Sequence, residues 1–150
     1  MNISMILNGK TVCDDINPGL SLLEFVRKQG MKSVKCGCET SNCGACTVLL
    51  DGMPILACSY LAVRADGHSV TTLEGVTEEA LAIGRHIAGQ GAEQCGFCNP
   101  GYILNTIALL RENPNPTDEE IKQYLSGNLC RCSGYDGQLR GIREYLDSIR

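Results

Sequence analysis

Cys36-Gly-Cys-Glu-Thr-Ser-Asn-Cys-Gly-Ala-Cys46 holds four thiols in a single short loop. Within it, Cys38-x4-Cys43-x2-Cys46 is the ligand spacing of a plant-type [2Fe–2S] loop. Cys58 supplies a fourth thiol after eleven further residues. Gly37, Gly44 and Ala45 leave room for backbone amides to approach the sulfurs, where they stabilise an anionic cluster and help set its potential. A structural zinc site is the alternative for four thiolates. Zinc sites usually pair two closely spaced couples, and x4 followed by x2 departs from that pattern.

A second set lies downstream, with Cys95-x2-Cys98 followed by Cys130-x-Cys132. Spacing alone also suits zinc here. A thioredoxin-like dithiol needs a βα context that this stretch lacks. The neighbouring first set favours a second iron–sulfur cluster. The remaining thiols are Cys13 and Cys36. Cys13 reads as an ordinary buried thiol in a strand. Cys36 competes with Cys38 as a ligand, but only Cys38 gives the x4 spacing. Arg131 stands between two ligand cysteines. A cation beside a cluster of charge −2 favours the reduced −3 state; the alternative for Arg131 is a surface ion pair.

Working outward, the chain has 150 residues, 43% of them hydrophobic and 20% charged. That is the balance of a folded globular protein. No apolar run approaches a membrane span. The first ten residues lack the basic region and apolar core of a signal peptide. A cytoplasmic setting with reduced thiols follows as the expectation, so the cysteines read as metal ligands rather than disulfides. Eight ligand thiolates and two oxidised [2Fe–2S]²⁺ cores lower the formal charge of −4 to about −8. So acidic a body, with no basic run, excludes nucleic acid as a partner. His68 and His86 lie in no Cys-x-His pattern, which argues against a Rieske centre. No GxGxxG, P-loop, carboxylate pair or Ser/His/Asp set stands out. The residues suit electron transfer rather than substrate chemistry.

The first half predicts strands over 3–7 and 10–15 around Asn8-Gly9, a helix over 20–29 and a hairpin over 47–57 around Asp51-Gly52. A last strand covers 69–73. From about residue 77 the period becomes helical. Helices are expected over 80–88, with Thr77 as N-cap, and around Ile103, Leu104, Ile107 and Leu110, with Pro100 near the start as the first turn permits. A capping box at Thr117-Asp-Glu-Glu120 opens a short helix. Leu139, Ile142, Leu146 and Ile149 mark a final one. The class is α+β, with one domain over 1–76 and a helical domain over 77–150.

Val34–Val48, Asp51-Gly52, Glu74-Gly75, Gln94-Cys-Gly-Phe-Cys-Asn-Pro-Gly101 and Gly127-Asn-Leu-Cys-Arg-Cys-Ser-Gly-Tyr135 resemble the small iron–sulfur subunit of the xanthine dehydrogenase family of molybdenum hydroxylases. The resemblance covers nearly the whole chain, with the motifs in order. It implies a β-grasp, ferredoxin-like N-terminal domain and a C-terminal four-helix bundle, each holding one [2Fe–2S] cluster. It further implies a large partner subunit whose molybdopterin cofactor hydroxylates the substrate, with electrons leaving through the C-terminal and then the N-terminal cluster. They usually reach FAD on a third subunit. Gln94 and Cys132 match positions that face the pterin. Asn99 and Ser133 replace the usual Thr, Gln138 stands where an aliphatic residue is common, and Cys36 where Cys is unusual. The length resembles the separate-subunit bacterial form. Xanthine or a similar N-heterocycle is the expected substrate of the assembled enzyme. Relatives acting on aldehydes, carbon monoxide or an aromatic acyl-CoA are the nearest alternatives, followed by a free-standing ferredoxin-like carrier and a zinc-stabilised interaction module.

Overall fold

Two tight hairpins frame the N-terminal sheet in the computed structural model, which describes residues 1–150. Strands β1 (Asn2–Leu7) and β2 (Lys10–Asp15) join at Asn8-Gly9, and β3 (Thr47–Leu50) and β4 (Met53–Leu56) join at Asp51-Gly52. All four turn residues have positive φ, the geometry that matches the right-handed twist of the flanking strands. With β5 (Ser69–Thr71) the sheet order is β2-β1-β5-β3-β4; β1 and β5 run parallel and the other pairs antiparallel. Helix α1 (Leu22–Lys28) starts at a reciprocal capping box between Ser21 and Glu24. Ile3, Met5 and Leu7, at the period of two, pack with Leu22, Phe25 and Val26 of α1 in one core.

The C-terminal part is helical, with α2 (Thr77–Gly89), α3 (Asn99–Glu112), α4 (Asp118–Tyr124) and α5 (Asp136–Ser148). Ile83, Ile87, Ile107, Ile121, Ile142 and Leu146 form its core. Leu49 of β3 packs with Leu104 and Ala108 of α3, tying the helices to the sheet. A Cβ on Gly101 would sit 3.2 Å from the Gly44 carbonyl carbon and 3.3 Å from Ala45 Cα. Side-chain-free packing at this point lets α3 lie directly on the first cysteine loop. No helix is long and apolar enough to cross a membrane.

Two expectations need correction. Cys13 is exposed, not buried. It pairs across the hairpin with Ser4 on the face away from α1, while its neighbour Val12 opposes the buried Met5. Thr77 is the first residue of α2 rather than its cap; its hydroxyl donates to the Glu74 carbonyl. Helix α3 opens with Pro100 in its first turn, as its sequence position permits.

Candidate metal centres

The first loop folds by curling its backbone around the thiols. Glu39, Ser41 and Gly44 all take positive φ, which turns successive amides inward. The amide of Asn42 donates to Cys38 Sγ at 3.4 Å. Amides of Thr40, Asn42 and Cys43, with the Thr40 hydroxyl, bring the Cys38 thiol down to about 6. Cys43 lies beside Cys38 and is raised, first by burial. Cys46 is buried, which pushes its thiol up to about 12. The Ala57 amide donates to the Cys46 carbonyl at 3.2 Å, extending the β3–β4 ladder. That bond delivers Cys58 to Cys46, and the two thiols interact. The first set is thus two pairs, Cys38 with Cys43 and Cys46 with Cys58.

The second set is built from the loop before α3 and the loop before α5. Cys95 and Cys132 approach to 3.7 Å between sulfurs. Cys98 pairs with Cys130, and burial pushes Cys98 up to about 12. Burial also raises Cys130, but the Ser133 hydroxyl and the amides of Ser133 and Cys132 outweigh it and bring the thiol down to about 7. Tyr135 has φ of 70°. Its hydroxyl accepts from the Cys130 amide at 2.9 Å, so the ring closes the Cys-x-Cys hairpin. Each set brings four thiols together as two pairs, an arrangement that fits a diiron cluster, in which each iron takes two thiolates.

The two sets adjoin. The Leu129 amide donates to the Cys43 carbonyl at 2.9 Å, so one hydrogen bond separates a first-set cysteine from the residue preceding Cys130. Lys35 Nζ donates to the Gly96 and Phe97 carbonyls, both at 3.4 Å, and lies 4.9 Å from the Phe97 ring centroid. Asn128, 3% exposed, donates its amide to the Gly44 carbonyl at 3.3 Å and accepts from Asn105 at 2.6 Å. A cavity of about 420 Å³ opens here, with Gly37, Cys43 and Ala45 on one wall and the four second-set cysteines on the other.

Residues 5–69 match the family described as 2Fe-2S iron-sulfur cluster binding domain, and residues 72–143 the family described as [2Fe-2S] binding domain. The nicotinate dehydrogenase small FeS subunit of Eubacterium barkeri is 46% identical over 138 residues, spanning 90% of this chain and 88% of its own length. The xanthine dehydrogenase iron-sulfur-binding subunit of Escherichia coli O157:H7 is 46% identical over 140 residues, 90% of this chain and 87% of its own. The solved structure of quinoline 2-oxidoreductase from Pseudomonas putida 86 superposes with a TM-score of 0.91 at 37% identity, covering 99% of this chain and 94% of that one. The chain belongs to the small iron–sulfur subunits of the xanthine dehydrogenase family.

As such a subunit of a molybdenum hydroxylase, it carries two [2Fe–2S] clusters. The Gln94 side-chain amide points to the Cys132 carbonyl at 3.4 Å, and both residues are exposed beside the second set. Arg131 is exposed at the rim of the shared cavity and joins none of the chain's ion pairs. Gln138 is completely buried. Its place in packing is resolved by polar partners: its carbonyl accepts from Ser133 Oγ at 3.0 Å, and its amide faces Cys98 Sγ at 3.9 Å. Asn99 Oδ1 lies 3.7 Å from the same sulfur. Sequence reading missed Lys35, Phe97, Asn128 and Tyr135 as supports of the two loops. Only the cysteine spacing pointed to their neighbourhood.

Cys36 is exposed, with its thiol 3.6 Å from Glu39 Oε1; burial, then the Glu39 carboxylate, raises it. A carboxylate is a poor neighbour for a thiolate ligand, whereas Cys38 has three amide donors. Cys36→Ser is therefore expected to retain both clusters and Cys38→Ser to lose the N-terminal one. Iron content and visible absorbance of the two variants check this; the reverse result would identify Cys36 as the ligand.

Proposed function

We propose that Cys38, Cys43, Cys46 and Cys58 ligate the N-terminal cluster and Cys95, Cys98, Cys130 and Cys132 the C-terminal one. The pairing of thiols within each set is the observation that carries this reading. A bound [2Fe–2S] cluster supplies reversible one-electron transfer. The chain's own part is to hold eight thiolates, to donate amides to their sulfurs, and to keep the two loops in register through the Leu129–Cys43 bond and the Lys35 contacts. Burial raises the Cys46 and Cys98 thiols, so these two would have to give up their protons to serve as thiolate ligands.

Electrons then pass from a molybdopterin-binding subunit to the C-terminal cluster, to the N-terminal cluster, and on to an FAD-binding subunit or another acceptor. Gln94 and Cys132 face the pterin, a role supported by their exposure at the outer side of the second set. In domain terms, residues 1–76 form a β-grasp unit and residues 77–150 a four-helix bundle. The setting is the cytoplasm. Nicotinate, xanthine and quinoline, in the names of three relatives, are N-heterocycles, which supports an N-heterocycle such as xanthine as substrate of the assembled enzyme.

Affinity purification from the native cell, followed by activity assays, tests this. A molybdenum-containing chain is expected to co-purify, and N-heterocycle oxidation to require it. Turnover by the isolated chain, or purification of a cluster-loaded chain with no molybdenum partner, would contradict the assignment.

A further inference from the structure

A glutamine with no solvent exposure needs partners for its carbonyl and both amide hydrogens. Gln138 lies in the first turn of α5, behind the Cys-x-Cys hairpin. Its orientation is set by a chain of donors. The Tyr135 amide donates to Ser133 Oγ at 3.2 Å. The Ser133 hydroxyl is thereby turned to donate to Gln138 Oε1 at 3.0 Å. With its oxygen so engaged, the side chain presents Nε2 to Cys98 Sγ at 3.9 Å, within reach of a sulfur acceptor. The flipped amide would set an oxygen against a thiolate. The amides of Ser133 and Cys132 meanwhile donate to Cys130 Sγ at 3.3 and 3.4 Å. The Gln138 amide reaches Cys98 and the amides of Ser133 and Cys132 reach Cys130, the inner pair of the second set, while the Phe97 amide serves Cys95 of the outer pair.

Resting on the ligand assignment above, we infer that Gln138, locked by Ser133, is a potential-setting residue: it donates to the Cys98 ligand sulfur and raises the reduction potential of the C-terminal cluster. The cluster's charge changes from −2 to −3 as it takes one electron from the molybdenum subunit. No covalent bond forms or breaks. A donor at a ligand sulfur interacts more strongly with the −3 state, so it favours reduction. Burial sharpens the effect, because little water screens the dipole. The consequence is an electron sink on the molybdenum side of the wire.

The test is a redox titration of the assembled enzyme followed by electron paramagnetic resonance. Gln138→Met keeps the buried volume and removes the donor. Ser133→Ala keeps Gln138 but removes its anchor. The C-terminal signal is assigned by the Cys43→Ser variant, which lacks the other cluster. Gln138→Met is expected to disfavour reduction of the C-terminal cluster about tenfold, ~59 mV for a one-electron couple. Ser133→Ala is expected to shift it the same way by less, and the N-terminal cluster to stay put. Should Gln138→Met not assemble, Gln138→Leu, which also lacks the donor and leaves the Ser133 hydroxyl near Cys130 in place, decides. An unchanged C-terminal potential in every variant that keeps both clusters would overturn the inference. Absence of the clusters from the unaltered enzyme would instead sink the ligand assignment.

Discussion

Cys43→Ser, in the assembled enzyme, is expected to leave substrate reduction of the C-terminal cluster fast while abolishing transfer to the physiological acceptor. Serine keeps the backbone carbonyl that accepts from Leu129, so the contact between the two loops survives. What is lost is a thiolate of the Cys38–Cys43 pair, and with it the N-terminal cluster. The loss at the acceptor should exceed the ~10–100-fold typical of removing a residue that merely supports a metal ligand. Stopped-flow absorbance separates the two steps. Normal acceptor reduction in a variant shown to lack only the N-terminal cluster would refute the proposed order of electron passage.

Gly101→Ala is expected to destabilise the protein by about 1–3 kcal/mol, the usual cost of forcing a methyl into a filled space, and Gly101→Val by more. The added Cβ meets the Gly44 backbone on a segment that itself runs between Cys43 and Cys46. Neither side is a flexible side-chain end. Helix α3 must therefore lift off the first loop, carrying Cys98 at its start away from Cys43. Electron passage between the clusters should slow in parallel with the stability loss. Gly89→Ala is the control. Its Cβ meets nothing within 4 Å and its φ is not positive, so a neutral effect or a gain of up to ~1 kcal/mol is expected. Denaturant unfolding of the two variants checks the contrast. Equal stability for Gly101→Ala and Gly89→Ala would show that the helix–loop contact is soft.

Much of this fold is written in short-range signals. Asn8-Gly9 and Asp51-Gly52 demand positive φ in succession, and each closes a two-residue hairpin. Thr117 and Glu120 form the reciprocal box that their spacing predicts. Ligand spacing located both cysteine loops. Other features depend on partners distant in sequence. Cys13 falls on the outer face because its cross-strand neighbour is Ser4, a fact of register rather than of residue type. Gln138 interrupts an apolar helix stripe, and its burial is tolerable because its carbonyl accepts from Ser133 and its amide meets Cys98, forty residues away. Which thiol joins which is likewise set by tertiary structure. Cys58 reaches Cys46 through a strand pair, and Cys132 reaches Cys95 across two loops.

Every role proposed for this chain requires that its eight paired thiols hold two diiron clusters. Iron and acid-labile sulfide analysis of the native protein, with electron paramagnetic resonance on stepwise reduction, tests it most directly. About four iron and four sulfide per chain and two distinct one-electron signals are expected. A colourless protein with stoichiometric zinc, or one with a single reducible centre, would contradict it.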